Sequence, residues 1–158
     1  MRPGVGQPIR RLEDKRFLTG AGRYVDDIKN ADGTAHAIVV RSPHANADVT
    51  ELNIETAQRA GGVLAVLTAV DLVGERIGSL GIRGLPAGFG GTSAFWPRRP
   101  LLAIDRVRYV GEPVALVVAE TLDAAKDAAE LVEVKYDVRA AAATLDLATA
   151  TETVAIWD

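Results

Sequence analysis

The 158-residue sequence contains no cysteine. That absence removes disulfides, thiolate nucleophiles, zinc–thiolate centres and cysteine-ligated iron–sulfur clusters together. Any redox chemistry involving this chain must move its electrons through groups held elsewhere. Aromatic residues are scarce at 5%, and the formal net charge is −3. With no basic stretch interleaved with aromatics, the electrostatic footprint of a nucleic-acid binder is missing. No run reaches the ~18 consecutive apolar residues of a membrane span, and residues 1–8 carry no apolar core of a signal peptide. The expectations are no nucleic acid, no membrane and a cytoplasmic location.

What is present is one domain's worth of globular chain, 48% apolar and 25% charged, long enough to bury roughly 70% of its unfolded surface. A single domain over 1–158 is expected. Residues 1–30 read as an irregular opening segment punctuated by Pro3, Gly4, Gly6, Pro8, Gly20 and Gly22. After the Asp32-Gly33 turn signal, 35–41 reads as a strand whose continuous apolarity suggests cover on both faces. A second strand is expected at 49–54. A short helix over 55–60 follows, with Asn53 as N-cap and Gly61 as stop. The strand 63–68 comes next, then a helical turn at 69–72.

From 74 to 100 glycines including Gly74, Gly78, Gly81 and Gly84 break all periodicity, which predicts a long flap. Short strands are expected at 101–104 and 107–110, with a stronger one at 114–119. Thr121 is placed to cap the best helix, 122–132, whose Leu122, Ala125, Ala129 and Val132 form one apolar stripe opposite Lys126, Asp127 and Glu130. A strand at 134–136 and a helical turn at 145–150 complete the chain. The fold class expected is α+β: a mixed β-sheet, two main helices and the glycine-rich excursion, arranged as two strand-rich halves with a capped helix on each.

Chemistry-bearing patterns are thin. The run Gly88-Phe89-Gly90-Gly91-Thr92-Ser93 lacks the third glycine of a phosphate-binding fingerprint, as does Gly20-Ala21-Gly22-Arg23-Tyr24-Val25, and neither follows a strand. The only histidines, His36 and His44, fall short of the three or four converging ligands a metal needs. Asp26 and Asp27, on an extended chain, would point apart. Ser42, Ser79 and Ser93 sit in no nucleophile elbow. The Ser42-Pro43-His44 run reads as a strand-ending turn braced by His44 through a backbone hydrogen bond. Glu112, within Val110-Gly111-Glu112-Pro113-Val114, reads as an exposed turn residue between a permissive glycine and a φ-fixing proline. A small hydrolase using His44 and Glu112 is the minor catalytic alternative. Trp96-Pro97-Arg98-Arg99-Pro100 is the nearest approach to an interaction patch. No residue is assigned a catalytic, cofactor-binding or metal-ligating role.

Five blocks nevertheless occur in a recognisable order. Arg11-Leu12-Glu13-Asp14, Phe17-Leu18-Thr19-Gly20 and Gly22-Arg23-Tyr24-Val25-Asp26-Asp27-Ile28 open the chain. They are followed by Arg41-Ser42-Pro43-His44-Ala45 and by the run from Gly62 through Leu72. Tyr109-Val110-Gly111-Glu112-Pro113-Val114-Ala115 and the run from Ala128 through Tyr136 close the set. Together they resemble the N-terminal α/β hammerhead domain of the molybdopterin-binding large subunit in the xanthine dehydrogenase, aldehyde oxidase and aerobic carbon monoxide dehydrogenase family. Two departures stand out: Asn46 where the family often has a second histidine, and Val138-Arg139-Ala140 where it often has a Leu-Pro pair.

The resemblance implies a fragment of a longer large subunit, or a separately encoded small one. The function implied is oxidative hydroxylation of an aldehyde, purine or similar heterocycle, or oxidation of carbon monoxide, with water as oxygen source. It implies molybdopterin, as the cytosine dinucleotide, with molybdenum in the full subunit, and 2Fe-2S and FAD on partner subunits or domains. The partners implied are the remainder of the subunit, an iron–sulfur subunit, a flavin subunit and a second copy. The family's pterin-binding motifs and its glutamate base lie beyond this chain, so the fragment alone is expected to be inactive. The alternative is a free-standing small-ligand or protein-binding module that reuses the fold.

Overall fold

Why a chain with this many short apolar runs needs two sheets is visible in a computed structural model that describes residue 6 and residues 11–28, 30–80, 97–150 and 155–157. The chain divides into two units, Met1–Thr34 and Ala35–Asp158.

The described residues of the first unit include helix α1 (Asp14–Leu18) and a 3-10 turn, Val25–Asp27. The Phe17 and Tyr24 rings stack with centroids 5.5 Å apart. A Cβ at Gly22 would lie 2.8 Å from Phe17 Cδ1, so a side chain there would force the Phe17 ring to shift. The segment around Asp27 is coiled rather than extended, because the Asp27 carboxylate accepts a 2.8 Å bond from the Tyr24 N–H.

In the second unit the order is β1 (His36–Arg41), β2 (Ala47–Asn53), α2 (Glu55–Gln58), β3 (Val63–Leu67), α3 (Ala69–Gly74), β4 (Arg106–Val107), β5 (Pro113–Ala119), α4 (Leu122–Glu130), β6 (Glu133–Val138) and α5 (Leu145–Thr149). The strands form two three-stranded sheets, β1-β5-β3 and β4-β2-β6. Every described pair is antiparallel, where the alternation of strands and helices predicts a mixed sheet. The reason is topological. Helix α2 carries the chain from β2 in one sheet to β3 in the other, and α4 carries it from β5 to β6, so neither helix joins parallel neighbours.

The centre of the first sheet is β5, whose Val114, Ala115, Val117 and Ala119 are fully buried. Strand β1 is an edge strand and only half-buried, so its apolar run is not covered on both faces. Val114 joins Ala47, Ala103 and Val107 in one core, against which Leu52, Val134 and Tyr136 pack. Val117, three positions along and hence on the opposite face, joins Ala57, Val66 and Ala128 in a second. Both α2 and α4 serve that second core, so the helices are not shared one to each half.

Local signals act as their chemistry dictates, with small displacements. Thr121 Oγ1 accepts from the Ala124 N–H at 3.1 Å and starts α4, while Leu122 stays 42% exposed and Ala125 and Ala128 are the buried residues. Asn53 acts one residue early, its Oδ1 accepting from the Glu55 N–H at 3.1 Å. Gly62, not Gly61, takes the left-handed φ of +78° before β3. The strands expected at 101–104 and 107–110 shrink to the two residues of β4. Gly111, at φ +88°, and the Glu112 N–H bond to the Tyr109 carbonyl (3.2 Å) turn the chain too soon for a longer ladder. At the base of the excursion Leu80 and Arg99 form an isolated antiparallel bridge, with a 2.8 Å bond from the Leu80 N–H to the Arg99 carbonyl. The glycine-rich run 88–93, with Ser93, and Trp96 lie outside the described residues.

Candidate functional site

Two of the sequence blocks meet in space although about seventy residues separate them. At the end of β1 the Ser42 N–H donates to the Glu112 carbonyl (2.9 Å), and the Gly111 N–H returns a bond to the Ser42 carbonyl (2.8 Å). The Arg41 guanidinium adds a third tie, donating to the Gly111 carbonyl at 2.8 Å. The left-handed φ of Gly111 makes this reciprocal pairing of two turns possible.

The side chains then close the junction. Glu112 is 3% exposed, contrary to the exposed turn glutamate expected. Its carboxyl group folds back to accept the Arg108 N–H, which satisfies a donor that β4 leaves unpaired. Ser42 Oγ accepts the His44 N–H at 3.0 Å, the brace expected of that turn. The His44 ring stands edge-on to Tyr136 with centroids 4.9 Å apart. Burial pushes the Tyr136 phenol above its ordinary pKa, partly opposed by its hydrogen bond with Ser42.

Asn46 is the hub on the other side of Ser42 and is 1% exposed. Its Oδ1 accepts from Arg106 Nε at 2.9 Å, and its Nδ2 donates to the Ala140 carbonyl at 2.5 Å. Its own carbonyl accepts the Arg139 N–H at 2.9 Å. Arg139 also pairs with Asp48. The two departures from the family pattern, Asn46 and residues 138–140, therefore bond to one another. No role for Arg106 and Arg108 is expected from the sequence; Arg106 opens β4 and Arg108 follows it directly.

Ser42, His44 and Glu112 thus come together, but not as a nucleophile with its base. The Glu112 carboxyl is committed to a backbone N–H, the Ser42 hydroxyl to the His44 main chain and Tyr136, and the His44 ring to Tyr136. His36 lies apart on β1, and Ser79 lines a separate pocket. Among the described residues no buried side-chain nitrogen or oxygen lacks a partner, and no three His, Cys, Asp or Glu residues gather as a metal would require. What the junction does is hold β1, β2, β4 and the 109–113 turn in register.

A pocket of about 530 Å³ opens beside α3. Its lining includes Leu72, Val73, Ile77, Ile104, Asp105, Arg108 and Trp157. Pro97, Arg98 and Pro100 of the expected interaction patch also line it. At the N-terminus of α3 the Asp71 carboxylate accepts from the Thr68 N–H (2.6 Å) and hydroxyl (2.7 Å). Those bonds, the hydroxyl's first, hold Asp71 below its ordinary pKa. No helix among the described residues is long and apolar enough to cross a membrane.

Comparison with known proteins gives consistent results. The nicotine 6-hydroxylase large subunit of Paenarthrobacter nicotinovorans is 43% identical over 133 residues, covering 84% of this chain and 15% of that protein. The carbon monoxide dehydrogenase large chain of Afipia carboxidovorans is 39% identical over 134 residues, again 85% of this chain and 15% of the relative. Among solved structures, quinoline 2-oxidoreductase from Pseudomonas putida 86 superposes with a TM-score of 0.72 at 36% identity, over 96% of this chain and 18% of that one. The chain thus spans about 15% of the length of the curated relatives it matches. The profile described as "Aldehyde oxidase and xanthine dehydrogenase, a/b hammerhead domain" matches residues 19–140, and the chain belongs to that family.

Proposed function

We propose that this chain is the N-terminal structural and interface domain of a molybdenum hydroxylase large subunit and performs no chemistry alone. The observation that carries the reading is the closed junction of Ser42, Asn46, Arg106 and Glu112. These four buried polar residues are spent on backbone and on each other in a chain that matches only 15% of its relatives. Buried groups committed in this way to backbone and to each other fix geometry.

The assembly's reaction would be an oxidative hydroxylation of an aldehyde or nitrogen heterocycle, or oxidation of carbon monoxide, with oxygen supplied by water. The names of the relatives, a nicotine hydroxylase and a carbon monoxide dehydrogenase among them, support the class without choosing the substrate. Molybdopterin, as the cytosine dinucleotide with molybdenum, would be held by the remainder of the large subunit. The 2Fe-2S clusters and FAD would sit on partner subunits, since this chain has no cysteine to ligate iron. This domain's contacts would be with that remainder, with the iron–sulfur subunit and with a second copy.

The test is to purify the chain alone and, separately, the full large subunit with its partner subunits. Dye-coupled oxidation of aldehydes, purines, N-heterocycles and carbon monoxide is then assayed. Turnover confined to the assembly is expected. Turnover by the 158-residue chain would contradict the reading, as would an assembly inert on every one of these substrates.

A further inference from the structure

Residues 155–157 belong to no strand or helix, yet they lie against two arginines from far earlier in the chain. Among the described residues no backbone-to-backbone hydrogen bond holds them. Their polar attachments are arginine side chains instead. Arg108 Nε donates to the Ile156 carbonyl at 3.2 Å, and Arg106 Nη2 reaches the Ala155 carbonyl at 3.5 Å, the longer and weaker bond. The Arg108 guanidinium also lies 4.5 Å from the centre of the Trp157 ring, inside the range of a cation–π contact. Ile156 and Trp157 are half-buried, while Ala155 is exposed.

The two arginines are themselves held from the other side. Arg106, buried, donates through Nε to the Asn46 side chain at 2.9 Å. Arg108 Nη1 donates to the Arg106 carbonyl at 3.0 Å, and its own N–H goes to the Glu112 carboxyl group. Each hydrogen bond to 155–157 therefore runs back to the buried junction. A segment held by side chains and by no ladder opens at lower free energy than the sheets it rests on. Asn46 bonds through its side chain to Arg106 and Ala140 and not to 155–157, so any influence it has on them must pass through Arg106.

We propose that residues 155–157 form a strap that Arg108 latches through the Trp157 ring and the Ile156 carbonyl. The strap opens as a local unit while both sheets stay folded, and the buried junction sets its closure through Asn46 and Arg106. The chain has two tryptophans, so Trp96→Phe leaves Trp157 as the only one. In that background acrylamide quenching of Trp157 fluorescence, and its emission through a urea titration, are followed beside far-UV circular dichroism. Quenching in buffer should be about half of that in high urea or less, and the Trp157 transition should come at lower urea than the dichroism transition. Arg108→Lys keeps the charge but loses the guanidinium plane; it should raise quenching in buffer by about twofold and bring the Trp157 transition still earlier. Asn46→Ala, with Asn46→Ser as the milder second variant, should raise quenching in buffer while the dichroism spectrum stays native. Equal quenching in buffer and in high urea would overturn the proposal, as would coincident transitions or unchanged quenching in Arg108→Lys. Wild-type quenching in a natively folded Asn46 variant would overturn the link to the junction.

Discussion

Replacing Glu112 with alanine separates a structural role from a chemical one. In the folded chain its carboxyl group accepts the Arg108 N–H, at 3% exposure. Removing it leaves a part-buried donor without a partner, which costs about 1–3 kcal/mol. The lost methylene packing adds about 1 kcal/mol. The sum, about 2–4 kcal/mol, corresponds to a Tm lower by roughly 5–10 °C for a domain of this length. Glu112→Gln keeps a carbonyl oxygen in reach of the same N–H and should lose less than half as much. Differential scanning calorimetry on the purified chain reads both shifts. The full assembly bearing Glu112→Gln should keep its turnover below the new Tm. An unchanged Tm in Glu112→Ala would refute the reasoning, and so would lost turnover in Glu112→Gln at intact stability, because Glu112 would then be acting on substrate.

Asn46→Ala removes the acceptor of Arg106 and the donor to Ala140 together, and should lower the urea midpoint by about 2–4 kcal/mol of stability at constant m. Asp71→Ala breaks the box with Thr68 and should cost about 1 kcal/mol at neutral pH by the same assay. Because the folded pKa of Asp71 is lowered, the wild-type advantage is present above about pH 4 and shrinks as pH falls through the folded value; a gap constant down to pH 2 would contradict the assignment. Gly62→Ala forces a non-glycine residue to φ +78°, with its Cβ at ordinary contact distance, 3.4 Å, from Ala124. It should cost about 1–2 kcal/mol in thermal unfolding from backbone strain alone.

The sequence was most legible where the chemistry is local. Thr121 before an apolar stripe, Asp32-Gly33 before β1 and the continuous run of β5 each carry their instruction within a few residues. The strand pairing was not legible, because which sheet β6 joins depends on where α4 delivers it, not on the alternation of Val134 and Tyr136. Continuous apolarity in β1 gave the wrong burial for the same reason: its place at the sheet edge is decided by β5, far along the chain. At the junction, Ser42 and Gly111 were visible as turns, but their reciprocal bonding was not, and Glu112 looked exposed because turns usually are. Asn46 was noticed only as a departure from a pattern. Its burial with Arg106 and its bonds to residues 139 and 140 needed the fold.

The central claim is that this domain frames chemistry housed elsewhere in a large subunit. Molybdenum per polypeptide, determined by mass spectrometry on the 158-residue chain and on the complete large subunit from the same cells, tests it most directly. The account predicts a ratio near zero for the chain and near one for the subunit. A stoichiometric ratio in the chain, or none in the subunit, would contradict it.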